Sequence, residues 1–275
     1  MQNQNSDSTL QTLSLAGLER AFADRSIAIP LHFLETVDST NTLARRLLLD
    51  GETPPFAVLA SSQTAGRGRF DRKWIDEPGK SVLLTLALPA SSPKGANWSA
   101  FCPLCALCIC EALASYSGAE PKIKWPNDIY INGRKLSGMI AEGVLKNGAM
   151  DAIIFGVGLN FAMPATAEGE LSDSLCALLP NSKRPIDICH CAAELARAAL
   201  RARDCIANSD MDSFSERFAR FDLLRGLKIS VNNFTSKTSG IASGVDKDGC
   251  LILKTEGGIF LCKAGEASII KNFKL

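Results

Sequence analysis

Short apolar runs and helix-spaced leucines alternate through the first part of the chain. LHFLET (31–36) and FAVLASS (56–62) read as strands, and SVLLTLAL (81–88) as a buried strand. Between the first two, STNTLARRLLLD (39–50) spaces Leu43, Leu47 and Leu48 along the inner side of a helix capped by Ser39 or Thr40. WSAFCPLCALCICEALASYSG (98–118) predicts a buried helix. KIKW (122–125) and the stretch 128–161 then read as a meander of antiparallel strands. Its turns are Asn132-Gly133 and Asn147-Gly148, pairs suited to positive φ at both residues. Residues 187–221 predict one or two helices. From Leu227 only short strands remain, with Asp248-Gly249 and Gly257-Gly258 as turns, in a segment of about 50 residues that suits a small barrel. A boundary near Leu224–Gly226 divides the chain into an N-terminal extension (1–29), a main domain (30–224) and a small domain (225–275). The extension is polar and then weakly helical (LQTLSLAGLERAF, 10–22), too short for a domain of its own.

Composition removes several function classes. Thirty Lys+Arg against 29 Asp+Glu leave a net charge of +1, so no global field draws a polyanion to the surface. Anion binding must come from a local cluster, and nucleic acid is not an expected partner. The 46% hydrophobic share is that of a packed globule. No apolar run reaches the roughly 18 to 20 residues of a membrane span, and Glu111 interrupts the longest. MQNQNSDSTL has no positive charge ahead of an apolar stretch, which argues against a secretory signal. Ten cysteines without such a signal predict reduced thiols in a cytoplasmic protein.

Four of those cysteines crowd into one helix. Cys102, Cys105 and Cys108 have the spacing that opens an iron–sulfur run, with Cys110 close behind. On a helix, positions i, i+3 and i+6 spread over a wide arc, so these thiols read as small core hydrophobes among Phe101, Leu104, Leu107 and Ile109. Cys189 and Cys191, flanking His190 in another helical run, read the same way.

Candidate chemistry lies in four short segments. QTAGRGRFDRKW (63–74) puts four Arg/Lys and two Gly between apolar strands, offering backbone N–H groups and guanidinium forks to an anion. It is neither a GxxxxGK[ST] loop nor a GxGxxG turn, and alone it could be a solvated basic turn. KWPND (124–128) places Lys124 at a strand end, where an ammonium among apolar neighbours can be aimed at phosphate or carboxylate. Alone it could be an ordinary Trp-Pro turn. DSTN (38–41) opens a helix with small polar side chains, as caps or as ligand contacts. FGVGLNF (155–161) puts Gly156 and Gly158 in a strand, which marks a bulge or a close approach to the backbone.

The order DSTN, QTAGRGR with Arg72 and Trp74, KWPND, KLSGMIAEG (135–143) and GVGLNF (156–161) resembles the catalytic domain of the biotin protein ligases, the biotin–[acetyl-CoA-carboxylase] ligases. GIASGVDKDGCLIL (240–253) is similar to that family's small C-terminal barrel. The resemblance implies an α+β fold, a class II synthetase-like catalytic domain with a mixed, mainly antiparallel sheet flanked by helices, followed by an SH3-like barrel. It implies a reaction in two halves: biotin and ATP form biotinyl-5′-adenylate and pyrophosphate, and a lysine of a biotin carboxyl carrier protein then takes the biotin and releases AMP. ATP and biotin are the implied substrates, with Mg²⁺ carrying the triphosphate charge.

Residue by residue, the resemblance assigns Arg69 and Lys124 to catalysis, where two anions must meet. It assigns Ser39, Thr40, Asn41, Gln63, Gly66, Arg67, Gly68, Arg69, Lys124, Trp125, Leu136 and Gly138 to biotin. Arg69, Arg72, Trp74, Asn127, Lys135 and Asn160 fall to ATP and the adenylate. The loop around Arg67 is expected to close over the adenylate and keep water from it. The base for the acceptor lysine is unassigned, with Asp128 the one guess. Relatives can dimerise by joining sheet edges, so a homodimer is one expected assembly.

The chain departs from the pattern in two places. The family commonly reads GRGRxGR, whereas Asp71 stands here in place of the third glycine, which is expected to stiffen the loop. Bifunctional relatives carry a DNA-binding winged helix-turn-helix of about 60 residues ahead of the core. Only about 30 residues precede it here, pointing to a monofunctional ligase. Three other readings stay open: a lipoate ligase or lipoyl transferase of related fold, a biotin-responsive DNA-binding regulator, and a metal or cluster protein built on Cys102 to Cys110.

Overall fold

The apolar runs at 31–36, 56–62 and 81–88 become adjacent strands of one seven-stranded sheet in the computed structural model, which describes residues 12–70, 72–90, 96–164, 169, 174–183, 185–233 and 236–270. The strands are β1 (Leu31–Val37), β2 (Phe56–Gln63), β3 (Ser81–Pro89), β4 (Lys122–Lys124), β5 (Asp128–Ile131), β6 (Arg134–Lys146) and β7 (Ala149–Asn160). Their spatial order is β1-β2-β3-β7-β6-β5-β4. β1 runs parallel to β2, and every other pair is antiparallel. The meander ends in the expected turns: Asn132 and Gly133 have φ of 51° and 75°, Asn147 and Gly148 of 53° and 77°. Positive φ at both residues matches the right-handed twist of the flanking strands.

Helices cover both faces. α2 (Thr40–Leu49) packs on one, over a small cluster of Ala44, Phe56, Val58, Ala87 and Ile154, with Leu43, Leu47 and Leu48 against it. The other face carries the larger core, shared by α1 (Leu15–Ala23), α3 (Phe101–Leu113), α4 (Ile188–Ala207) and α5 (Phe214–Phe221). α1 is more firmly built than its weak pattern suggests. Ser14 caps it by accepting from the Gly17 N–H, and Leu18, Ala21 and Phe22 are buried. Together these elements make a mixed α/β fold, mainly antiparallel, with flanking helices.

The cysteines of α3 are packing groups. Cys105, Cys108 and Cys110 are buried, and desolvation pushes the Cys102 and Cys108 thiols up to about 11. Cys105 and Cys110 are raised well beyond the ordinary thiol value for the same reason. In α4, burial carries Cys191 to about 12.

A second, five-stranded antiparallel sheet follows: β8 (Lys228–Asn232), β9 (Lys237–Val245), β10 (Leu251–Thr255), β11 (Gly258–Cys262) and β12 (Glu266–Ile269), in the order β11-β10-β9-β8-β12. One turn differs from expectation. Thr255 pairs with Gly258 across the ladder, so the turn residues are Glu256 and Gly257, and Gly258 is already in β11. The side chain of Thr255 fixes that register by donating to Gly258 O at 2.8 Å. Among the described residues no helix is long and apolar enough to cross a membrane.

Candidate active site

A polar floor forms where β1 hands over to α2. Ser39 has the extended backbone of an N-cap, yet its hydroxyl makes no capping bond, so a buried side chain is left for other use. Thr40 donates twice to Gln63 Oε1 at the end of β2, from its backbone N at 2.9 Å and from Oγ1 at 3.1 Å. From β3, Thr85 donates to Asn41 Oδ1 at 2.6 Å and lies 2.8 Å from Thr40 Oγ1. These bonds fix the Asn41 amide and leave its Nδ2 buried without a partner among the described residues.

Both strand glycines of β7 are close approaches. A Cβ on Gly156 would collide with the Asn41 amide, and one on Gly158 would come within 2.5 Å of the Trp74 indole. Trp74 lies on the backbone there, and its Nε1 is also buried without a partner. An unpaired buried donor costs about 1–3 kcal/mol until something accepts from it.

The basic loop folds back on itself. Gly68 N donates to Arg72 O at 2.7 Å and Trp74 N to Gly66 O at 3.0 Å, with Phe70 at φ 55° at the tip. Gly66 has no room for a side chain, since a Cβ would sit 2.9 Å from Trp74 O. Three arginines then anchor the loop outward. Arg67 reaches Glu142 at 3.1 Å, and Arg69 donates to Asn127 Oδ1 at 2.9 Å and Gly265 O at 3.1 Å. Arg72 pairs with Glu266 at 2.6 Å. That contact raises Arg72 and holds Glu266 below the usual carboxylate value. Asp71 lies outside the described residues.

Two adjoining cavities result. The first, about 520 Å³, is lined by Ser39, Thr40, Asn41, Gln63, Arg67, Gly68, Arg69, Trp74, Asn127, Asp128, Lys135 and Gly138, with apolar Leu83, Leu84, Met139, Ile140 and Val157. The second, about 550 Å³, is lined by Arg69, Arg72, Lys73, Lys124 and Lys135 together with Asp128, Glu266 and the loop tip. Gly68, Arg69, Trp74, Asn127, Asp128 and Lys135 belong to both walls. Lys124 Nζ sits 5.8 Å from the Tyr130 ring centre, and burial, then the Asp128 charge, pushes that phenol up to about 12. Asp128 is paired to Lys135 at 2.9 Å and accepts from Asn127 Nδ2 at 3.2 Å.

Of the residues assigned to biotin, Gly66, Lys124, Trp125 and Leu136 do not line the first cavity, Lys124 lining the second instead, and of those assigned to the nucleotide Asn160 lines neither. Leu136 is fully buried in the large core and lines neither cavity. Asn160 is spent on the fold, donating to Lys135 O and Cys176 O. Gly66 shapes the loop root. Trp125 borders the second cavity, but its ring is 1% exposed and its Nε1 donates to Gly249 O at 2.9 Å. The reasons differ: Gly66 lies in the loop, Trp125 follows β4, Leu136 stands at an irregularity in the β5–β6 ladder, and Asn160 ends β7 with its amide held by backbone carbonyls.

Other contributors were not read from the sequence. Thr85 had a visible cue, as a polar residue in a strand buried throughout. Asp76, which accepts from Ser62 Oγ and Gln63 N and is raised by burial, had none. Gly265 and Glu266 come from the second sheet, nearly 200 positions from the arginines they meet.

With this geometry in view, the comparisons place it. Residues 33–160, which span most of the seven-stranded sheet, match the model of the Biotin/lipoate A/B protein ligase family. Among curated proteins, the biotin--[acetyl-CoA-carboxylase] ligase of Paracoccus denitrificans is 28% identical over 246 residues, 85% of this chain and 98% of the relative. The bifunctional ligase/repressor BirA of Escherichia coli is 29% identical over 241 residues, 86% of this chain and 73% of that protein. In fold, the chain is similar to the biotin protein ligase of Aquifex aeolicus in complex with biotin and ATP. The TM-score is 0.73 at 24% identity, covering 88% of this chain and 98% of the other.

Proposed function

We propose that the chain is an ATP-dependent biotin protein ligase. The observation that carries this reading is the shared wall between two unlike cavities. One has hydrogen-bonding groups fixed at its floor and an apolar side, suited to a small polar ring with an aliphatic tail. The other gathers cations, suited to a triphosphate. A carboxylate at the end of the tail then meets the α-phosphate at Arg69 on the shared wall, with Lys124 in the second cavity.

In the first half-reaction a biotin carboxylate oxygen bonds to the α-phosphorus as the bond to the pyrophosphate oxygen breaks. In the second, the carrier lysine amine attacks the acyl carbon and AMP leaves with the bonding pair. Ser39, Thr40, Asn41 and Gln63 bind the ureido ring, with the loop backbone at Arg67 and Gly68. Asn41 Nδ2 and Trp74 Nε1 are the donors that a ligand acceptor would satisfy. Arg69 and Lys124 neutralise the reacting anions in a site that limits water. Arg72, Asn127 and Lys135 serve the nucleotide.

Mg²⁺ enters the site with ATP, as part of the Mg–ATP substrate. The partner is a carboxylase carrier domain, and the place of action the cytoplasm. We read residues 30–224 as the catalytic domain and 225–275 as an SH3-like barrel that reaches the site through Gly265 and Glu266.

The test is biotin-dependent pyrophosphate release from Mg–ATP, followed by biotin transfer to a carrier-domain lysine, with lipoate as the control acid. Turnover with biotin and little with lipoate is expected. Release with lipoate alone would move the chain to the other branch of the family, and none with either would remove the reading.

A further inference from the structure

Glu142 lines neither cavity, yet it touches two walls of the first. It lies on β6, two residues past Ile140 and four past Gly138, which do line that cavity. Alternation along the strand puts all three on one face. Its carboxylate accepts from Arg67 Nη2 at 3.1 and 3.3 Å and from Arg45 Nη2 at 3.3 Å. Arg67 belongs to the basic loop, and Arg45 to α2, whose first residues form the polar floor. Without an anion between them, the two guanidinium groups would repel.

The bonds from Gly68 N to Arg72 O and from Trp74 N to Gly66 O shape the loop internally, without tying it to β6. Arg69 ties it to Asn127, between β4 and β5, and to Gly265 O, and Arg72 ties it to Glu266. The loop's side-chain hydrogen bond to β6 is Arg67 to Glu142.

We propose that Glu142 is a positioning residue, clamping the loop to α2 across β6 so that the backbone at Arg67 and Gly68 is held at the biotin site. The kinetic part of this inference rests on the ligase reading; the clamp itself does not. Arg45 and Arg67 are 41% and 49% exposed, so each pair is weak and its loss shows as a several-fold effect on binding.

The experiment compares Glu142→Gln with the unaltered protein in three ways: biotin-dependent pyrophosphate release, tryptic cleavage at Arg67 and Arg69, and thermal melting. The KM for biotin is expected to rise about three- to tenfold with kcat within about twofold, the mark of lost uniform binding. Loop cleavage should speed up, with Tm nearly unchanged. A Glu142→Gln/Arg67→Gln double variant should be no worse than the poorer single one, because both remove the same contact. Unchanged KM and cleavage would overturn the clamp. So would a fall in kcat alone, or a fall in Tm without faster cleavage. If the unaltered protein shows no biotin-dependent release, the ligase reading fails, and cleavage still decides whether the clamp exists.

Discussion

Arginines meet carboxylates in two regions of this molecule, with opposite results. Between α1 and α4, a single carboxylate is surrounded. Glu194, its side chain 7% exposed, accepts from Arg25 at 2.6 Å, Arg197 at 2.6 Å and Tyr116 Oη at 3.3 Å. Around the second cavity, cations are in excess among the described residues: Arg69, Arg72, Lys73, Lys124 and Lys135 face Asp128 and Glu266. Arg69 there is held by a side-chain amide and a backbone carbonyl, which orient it without cancelling its charge. A matched cluster stabilises the fold. An unmatched one leaves a field for an anion to enter, so the near-neutral sum of the chain conceals a local imbalance.

Breaking the unmatched cluster should produce the largest effect. Lys124→Ala or Arg69→Ala is expected to slow biotin-dependent pyrophosphate release by about 10²–10³-fold with no change in urea midpoint. A loss under about threefold in both would erase the distinction between the two regions. In the matched cluster the outcome should invert. Glu194→Ala is expected to cost about 2–3 kcal/mol in urea denaturation, since two guanidinium groups lose their buried partner, with activity per folded molecule retained.

Acid should act on the same contact. Burial pushes Glu194 up, but hydrogen bonds from Arg197 and Arg25 outweigh it and hold the group below its ordinary 4.5. A depressed carboxylate contributes stability in full above that ordinary value and loses it as pH falls through the folded one. Stability should therefore fall on acidification less steeply in Glu194→Gln than in the unaltered protein. Parallel curves would show that Glu194 is not a source of the acid sensitivity. The smallest effect belongs to Arg72→Ala. Its side chain is 62% exposed, so the Glu266 pair should be worth under about 1 kcal/mol, while the KM for ATP rises several-fold.

What the sequence made legible divides along chain distance. The β5–β6 and β6–β7 hairpins were readable because Asn132-Gly133 and Asn147-Gly148 carry their turn geometry locally. The β10–β11 turn slipped by one residue, because two adjacent glycines allow either register and the Thr255 to Gly258 pairing decides between them. Site segments were recognisable as short motifs, yet Leu136 and Asn160 within or beside them serve the fold. A motif marks a stretch of chain, whereas a ladder irregularity beside Leu136 and the backbone carbonyls that hold Asn160 are settled only when the strands pair. Glu142, Gly265 and Glu266 escaped because their roles depend on docking between elements far apart in the chain.

The way Trp74 lies across Gly158 also has an optical consequence. The chain holds three tryptophans. Trp125 is sealed in the core with its N–H bonded to Gly249 O, and Trp98 packs edge-on to Phe101 at 6.1 Å. Indole emission follows the polarity and bonding around the ring, so these two provide a steady background. Trp74 alone sits in the wall of both cavities, with its N–H unbonded among the described residues. Filling the first cavity should therefore shift the protein's own fluorescence, and removing that one indole should silence the change.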